Sequence, residues 1–492
     1  MKKIGVIGSG ISGLSAAAVL SSAGHEVMVF EKNQTLGGRM RQFNEMGFAF
    51  DMGPSWYWMP DVFERFFARF GYKSSDFYEL KKLDPGFQVI YNNEEIVKVP
   101  ATWSELLELF EKHETGAAVK LEKFMAEAAY KYDVGINELI YQPGLSWSEL
   151  ITPSTLKGVL RLQLFSSFSK HVRRYFKNEK LISLMEFPIL FLGAMPQNTP
   201  ALYSLMNYAG LKQGTFYPMG GFKKVIDAFV KIGTENGAQF FTSETIESIN
   251  KKDASQIELI TSSGKIILDG LIASADYNHV DSTLINKEFR NYDDAYWDNK
   301  VFAPSCLIFY IGVKQKVDRL EHHNLFFDAD FPQHAKEIYT DPKWPTKPLF
   351  YVCCPSKTDP SVAPVGMENL FVLMPIAPGL EDNGNIRQEF FTLLMQRLEK
   401  FTGCKIRDNI QYLKSYCVND FKKDYNSYKG NAYGLANTLM QTANLKPKIR
   451  NKKINNFYYA GQLTVPGPGV PPSIVSGQVA AEQLLKSLKA GL

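Results

Sequence analysis

The chain is short of cysteine, of long apolar runs and of excess charge of either sign, and each shortage excludes a class of protein. There are five cysteines: Cys306, Cys353, Cys354, Cys404 and Cys417. Their number is odd, two are adjacent and no C-x-x-C pair occurs. Neither a disulfide framework nor a zinc site is therefore expected, and a reducing cytoplasm is. Met1, Lys2 and Lys3 run straight into a strand-like segment without the pattern of a secretory leader. The longest apolar stretch, residues 187–195, is about half of the roughly 18–20 residues that a spanning helix needs. Lys and Arg number 55 against 51 Asp and Glu, and a net charge of +4 gives no basis for binding nucleic acid. No internal repeat or low-complexity tract is visible.

Apolar residues make up 45% and charged residues 22%, which is ordinary globular usage and excludes wholesale disorder. A chain of 492 residues exceeds what one core usually organises, so two intertwined domains are expected.

The best-specified stretch is KKIGVIGSGISGLSAAAVLSSAGHEVMVFEK at the N-terminus. Residues 4–7 read as a buried strand, 12–23 as a packed helix of small and apolar residues, and 27–31 as a second strand. Gly8, Gly10 and Gly13 stand between strand and helix in G-x-G-x-x-G order. Gly8 allows a tight turn, Gly10 lets backbone approach a pyrophosphate, and Gly13 lets the helix lie close to the sheet. Ser12 opens the helix, whose positive end meets the phosphates. Glu31 ends the second strand 18 residues after Gly13, where a carboxylate can accept from ribose hydroxyls.

A second glycine pair with an arginine, Gly37-Gly38-Arg39, follows at once, and then FDMGP with Asp51, Gly53 and Pro54. A simple NAD site has no need of these. They suit a longer ligand, with the planar fork of Arg39 near a phosphate or a flavin edge. Near the other end, YYAGQLTVPGPGVPPSIVSGQVAAEQLL reads as strand, Gly-Pro turn and helix. Its prolines sit where a helix starts and a missing N–H costs nothing.

Together, E-K-x-x-x-x-G-G-R, G-F-x-F-D-x-G-P and the C-terminal motif resemble the flavin-containing amine oxidase superfamily. Within it, FDMGPSWYWMPDVFERFF and GNAYGLANTLMQTANLKPKIR resemble the bacterial-type phytoene desaturases over nearly the whole chain. The resemblance implies FAD as cofactor, with Gly461 near the pyrophosphate. It places Gly469 and Val470 beside the isoalloxazine, at a helix N-terminus that stabilises a reduced flavin, and counts Pro471 at that helix start among the cofactor-binding residues. It also gives Ile246 a backbone contact with the adenine, although alone that residue reads as core.

The expected fold is α/β: a discontinuous Rossmann-like FAD domain of residues 1–70, 215–295 and 450–492. An interleaved α+β substrate domain would comprise 71–214 and 296–449. In its first insert, residues 156–180 carry seven Lys and Arg against a single acid, beside an apolar stripe of Leu160, Leu164, Phe165, Phe168, Val172 and Phe176. With residues 187–195 this is the pattern of a helix lying in a membrane interface, so peripheral membrane association through 156–195 is expected.

The reaction implied is desaturation of a long acyclic C40 carotenoid, with phytoene to lycopene in successive steps as the lead. A hydride would leave an allylic carbon for flavin N5 and a proton would leave the adjacent carbon. Oxygen or a membrane quinone would then take the electrons. No catalytic side chain is assigned: Asp51, His171 and Glu186 are titratable, but each reads better as structural. No metal is expected. One departure stands out, because Thr464-Val465-Pro466-Gly467 replaces the T-H-P-G of many family members. The alternatives are a desaturase of another acyclic carotenoid, an amine or protoporphyrinogen oxidase, a carotenoid isomerase, and a non-enzymatic lipid-binding chaperone on the same fold.

Overall fold

The computed structural model describes residues 1–150, 162, 163 and 166–490. A five-stranded parallel sheet runs in the order Phe457–Tyr459, Gly270–Ala273, Lys3–Ile7, Glu26–Glu31 and Gln239–Thr242. Its three strands nearest the C-terminal edge are almost wholly buried, as a sheet covered on both faces requires. The order reverses at Lys3–Ile7, so loops leaving it and Gly270–Ala273 diverge to open a crevice at the carboxyl ends of the strands.

Helix Ile11–Ser22 covers this sheet between the helices Lys223–Glu235 and Val470–Ala490. Contact with the last helix is very close: a Cβ on Gly477 would come within 2.0 Å of the Ser12 carbonyl oxygen. The Ser15 hydroxyl donates to the Ile474 carbonyl at 2.8 Å. A three-stranded antiparallel meander, Ile246–Lys251, Ile257–Thr261 and Gly264–Leu268, flanks the sheet.

A second sheet of seven strands runs Ile410–Tyr416, Ser305–Val313, Glu368–Ile376, Phe350–Cys353, His323–Phe326, Phe87–Ile90 and Ile96–Val99. It is antiparallel except where Phe87–Ile90 meets His323–Phe326. The central strand Ser305–Val313 is buried throughout, and its side chains alternate between two cores. Leu307, Phe309, Ile311 and Val313 pack with Leu394, Leu398 and Phe401 of helix Gly384–Thr402. Cys306, Ile308 and Tyr310 face the other way, into the molecule's main core.

The segment expected to lie on a membrane divides. Residues 156–161, 164 and 165, and with them Leu160, Leu164 and Phe165, fall outside the described residues. The remainder forms two short helices, Phe168–Tyr175 and Glu179–Glu186, instead of one long one. Phe168, Val172 and Phe176 are fully buried, packed among residues such as Phe110 and Phe124, so this part of the stripe faces the core. Lys170, Arg173, Arg174 and Lys177 remain exposed. Among the described residues no helix is long and apolar enough to cross a membrane.

Candidate active site

A cavity of about 450 Å³ begins at the carboxyl ends of the parallel strands and continues under the seven-stranded sheet. Its first part is built by glycines. Gly37 pairs with Gly10 as a short parallel bridge, and the Gly37 N–H donates to the Ser9 carbonyl at 3.0 Å. A Cβ on Gly38, whose φ is +55°, would come within 2.9 Å of the Gly10 Cα, so a side chain there would separate the two loops. A Cβ on Gly10 would meet nothing within 4 Å, because it would face the open cavity. Gly13 lies behind the wall, where a Cβ would stand 2.1 Å from the Gly8 carbonyl oxygen. Its absence of side chain serves helix–strand packing alone.

Two helix N-termini converge here, Ile11–Ser22 and Val470–Ala490, and their positive ends favour an anion. The Ser12 and Ser274 hydroxyls share a 2.6 Å hydrogen bond, with Gly461 beside them. Glu31 is held by four donors. Its Oε2 accepts from the Ser9 N–H at 3.0 Å and hydroxyl at 2.7 Å, and its Oε1 from the Asn33 N–H at 2.9 Å and Nδ2 at 2.7 Å. The carboxylate is thereby oriented at the cavity rim.

Arg39 lies over the Tyr425 ring at 4.8 Å, and its Nη2 donates to the Ser427 hydroxyl at 3.3 Å. Its buried Nε has no hydrogen-bond partner among the described residues. Asp276, buried at the end of strand Gly270–Ala273, is pushed up to about 6 by desolvation, against the opposing pull of Arg39.

The deeper part of the cavity is apolar. From residues 304–375 it is walled by side chains such as Ile308, Leu325, Phe327, Ile338 and Leu373, with Trp56, Phe187 and Met206 opposite. His334 is the titratable nitrogen base of that wall, and it is fully engaged. Its Nε2–H donates to the Pro375 carbonyl at 3.0 Å and its Nδ1 accepts from the Leu349 N–H at 3.0 Å. Burial lowers it to about 4, so it is neutral around pH 7.

A family model described as flavin containing amine oxidoreductase matches residues 11–485. The chain belongs to that family. Its place within the family is among the carotenoid desaturases. It is 40% identical over 484 residues to the carotenoid 3,4-desaturase of Haloarcula japonica, covering 98% of each chain. It is 29% identical over 500 residues to the 4,4'-diapophytoene desaturase (4,4'-diaponeurosporene-forming) of Staphylococcus haemolyticus, covering 99% of each. The fold matches that of cyclohexylamine oxidase from Brevibacterium oxydans, with a TM-score of 0.61 over 99% of both chains at 14% identity.

FAD is the cofactor of this family member, and the residues present fit it. Gly10 leaves room where a pyrophosphate needs backbone, two helix N-termini face the same space, and the orphaned Nε of Arg39 is a buried donor awaiting an acceptor. The cavity wall includes Gly8, Gly10, Ser12, Glu31, Gly38, Arg39, Gly53, Pro54, Ile246, Gly461, Gly469, Val470 and Pro471, drawn from three separated parts of the chain.

None of the three titratable residues weighed from sequence lines this cavity. Asp51 accepts from Gln42 Nε2 at 3.1 Å and from the Phe222 N–H at 3.0 Å, joining the hairpin to the start of helix Lys223–Glu235. His171 is buried between Phe124 and Tyr175 and lowered to about 3 by desolvation. Glu186 is buried and raised by desolvation in helix Glu179–Glu186. Val465, which replaces the family histidine, packs in the core against Gly144.

Sequence reading missed Asp276 and the 424–429 segment. Asp276 carried a usable signal, an acid just past a buried strand as with Glu31. The 424–429 segment carried none, because its contact with Arg39 spans 388 residues of chain.

Proposed function

We propose that the chain is an FAD-dependent desaturase of an acyclic carotenoid. The observation that carries this reading is the uncharged deep wall of the cavity. A substrate amine or carboxylate placed there would be desolvated without a counter-charge, at a cost of several kcal/mol. The imidazole of His334, the one basic group of the 304–375 wall, is neutral and already bonded on both nitrogens. This argues against an amine or porphyrinogen substrate and for a hydrocarbon.

Bound FAD supplies the hydride acceptor for the C–H bond. The protein's own part is to hold and to exclude. Arg39, Glu31 and the glycines Gly8, Gly10 and Gly461 hold the cofactor, and the N-terminus of Val470–Ala490 favours negative charge at its ring. Trp56, Leu325, Tyr351 and Leu373 align the polyene and keep water out, which positions one C–C unit for reaction.

Among acyclic substrates, 40% identity to a 3,4-desaturase against 29% to a diapophytoene desaturase favours an already conjugated carotenoid desaturated at C3–C4. Conversion of phytoene to lycopene is the second reading, supported by the motifs at 50–67 and 430–450. The substrate's insolubility supports work at a membrane surface, where the exposed Lys170, Arg173, Arg174 and Lys177 would meet anionic lipid. Dioxygen or a membrane quinone then takes the electrons. Residues 1–70, 215–295 and 450–492 serve as the FAD domain in this reading, and the remainder as the substrate domain.

The test is a spectrum of FAD-loaded protein with liposomes carrying either phytoene or lycopene. A red shift of lycopene's banded absorption is expected, from lengthened conjugation. Growth of visible bands from phytoene alone would select the second reading. Unchanged polyenes beside normally bound flavin would overturn both.

A further inference from the structure

Behind the cavity wall, two adjacent histidines and a cysteine converge in a way the desaturase chemistry does not use. We propose that His322, His323 and Cys353 bind a Zn²⁺ ion. His323 and Cys353 are direct cross-strand partners of His323–Phe326 and Phe350–Cys353. His322 immediately precedes the strand, and its carbonyl accepts the Cys354 N–H at 2.8 Å, which keeps it beside the same pair. One ligand atom from each residue lies within 4.8 Å of the others. A tetrahedral zinc with bonds of about 2.0–2.3 Å sets its ligands roughly 3.5 Å apart, so a small contraction completes the site.

All three side chains are buried, at 4%, 0% and 3% exposure. Each of the two imidazoles has one ring nitrogen engaged and one left over. His322 Nδ1 bonds the Thr358 hydroxyl at 2.7 Å and His323 Nδ1 bonds the Tyr351 hydroxyl at 2.6 Å. Both Nε2 atoms are left without a partner among the described residues. An outer hydrogen bond that fixes the tautomer and leaves the other nitrogen free is what a metal-binding imidazole requires.

The Tyr217 hydroxyl is likewise buried and without a partner among the described residues, and its ring lies 4.7 Å from that of His322. Tyr217 and Cys353 also share, with Asp51, the wall of a small cavity of about 20 Å³, room for one water. A phenol or a water there completes four-coordination. Two imidazoles and a sulfur suit a borderline-soft cation and not Mg²⁺ or Ca²⁺, which take oxygen. As the Zn–S bond forms, the thiol proton leaves to solvent, and no electron is transferred.

The ion would brace the substrate chamber. The Tyr351 hydroxyl lies 2.9 Å from the Ser55 hydroxyl, and the ring of Trp56 stacks on that of His323 at 4.1 Å. Ser55, Trp56 and Tyr351 all face the main cavity. The site therefore ties strand Phe350–Cys353 to the loop that follows the flavin cradle.

The experiment is elemental analysis of full-length holoenzyme, expressed with zinc supplied and passed through chelator and gel filtration, with flavin content as the measure of folding. About one zinc per chain is expected. His322→Gln, His323→Gln and Cys353→Ser, at unchanged flavin content, are each expected to lower it at least about fivefold. Zinc absorption-edge spectroscopy of the unaltered protein should give one sulfur at about 2.3 Å and nitrogens at about 2.0–2.1 Å. Flavin-loaded protein without zinc would overturn the proposal, as would zinc retained in all three variants. Should the variants fail to fold, a zinc shell lacking sulfur would overturn it by itself.

Discussion

Asp51 stands in the most specific motif after the glycine fingerprint, and its environment turns it from an apparent site residue into a strut. Two donors hold it, yet burial pushes its carboxyl from 3.8 up to about 7. The folded state thus binds a proton that the unfolded chain has already released. The stability this contributes is present at acid pH and is lost as pH rises from about 4 to about 7. In Asp51→Asn the slope disappears, so the difference in unfolding free energy, parent minus variant, is expected to fall by up to roughly 4 kcal/mol across that window. Urea unfolding of the zinc-free protein at a series of pH values measures it, and parallel curves for the two proteins would refute it. The residue's type and motif were legible, but the direction of its side chain was not. That direction depends on Phe222, 171 residues away.

At the scale of elements, the molecule closes on itself where helix Val470–Ala490 lies against helix Ile11–Ser22. Gly477 has no room for a methyl group, because the obstacle is the Ser12 backbone and cannot rotate aside. Gly477→Ala is expected to cost about 1–3 kcal/mol by overpacking. It should also speed flavin release, since both helices present their N-termini to the cofactor cradle. Thermal denaturation and the rate of flavin fluorescence gain would record this, with exposed Lys486→Ala as a control that changes neither. The C-terminal helix was readable from its Gly-Pro entry and apolar repeat. The stretch at 168–176 was misread in one respect: its apolar stripe was visible, but whether a stripe meets lipid or core depends on what packs against it. Here Phe110 and Phe124 do.

At the scale of the whole molecule, one cavity joins a polar cradle to an apolar chamber, and the two parts are separable by mutation. Leu373 faces the chamber from strand Glu368–Ile376. Leu373→Trp is expected to leave flavin content unchanged while lowering polyene turnover at least about tenfold, because misplacement of the reacting carbons is costly. Flavin absorbance and the liposome assay would be measured on one preparation. Loss of flavin together with activity would show that the chamber and the cradle are not independent.

Fold class, cofactor and family were all legible in the order of amino acids. The fold class rests on short-range signals, glycine spacing at a strand–helix turn, an acid at a strand end and prolines at a helix start, and the cofactor and family rest on the resemblance that the longer motifs carry. Each short-range signal acts through backbone geometry within some thirty residues, so neighbours in sequence are neighbours in space. The tertiary structure alone decided that the substrate chamber is uncharged, that Asp51, His171 and Glu186 stand outside it, and that His322, His323 and Cys353 meet. These depend on side-chain direction across a sheet whose partners come from residues 87 to 416. A strand shifted by one residue would send every one of those side chains to the opposite face.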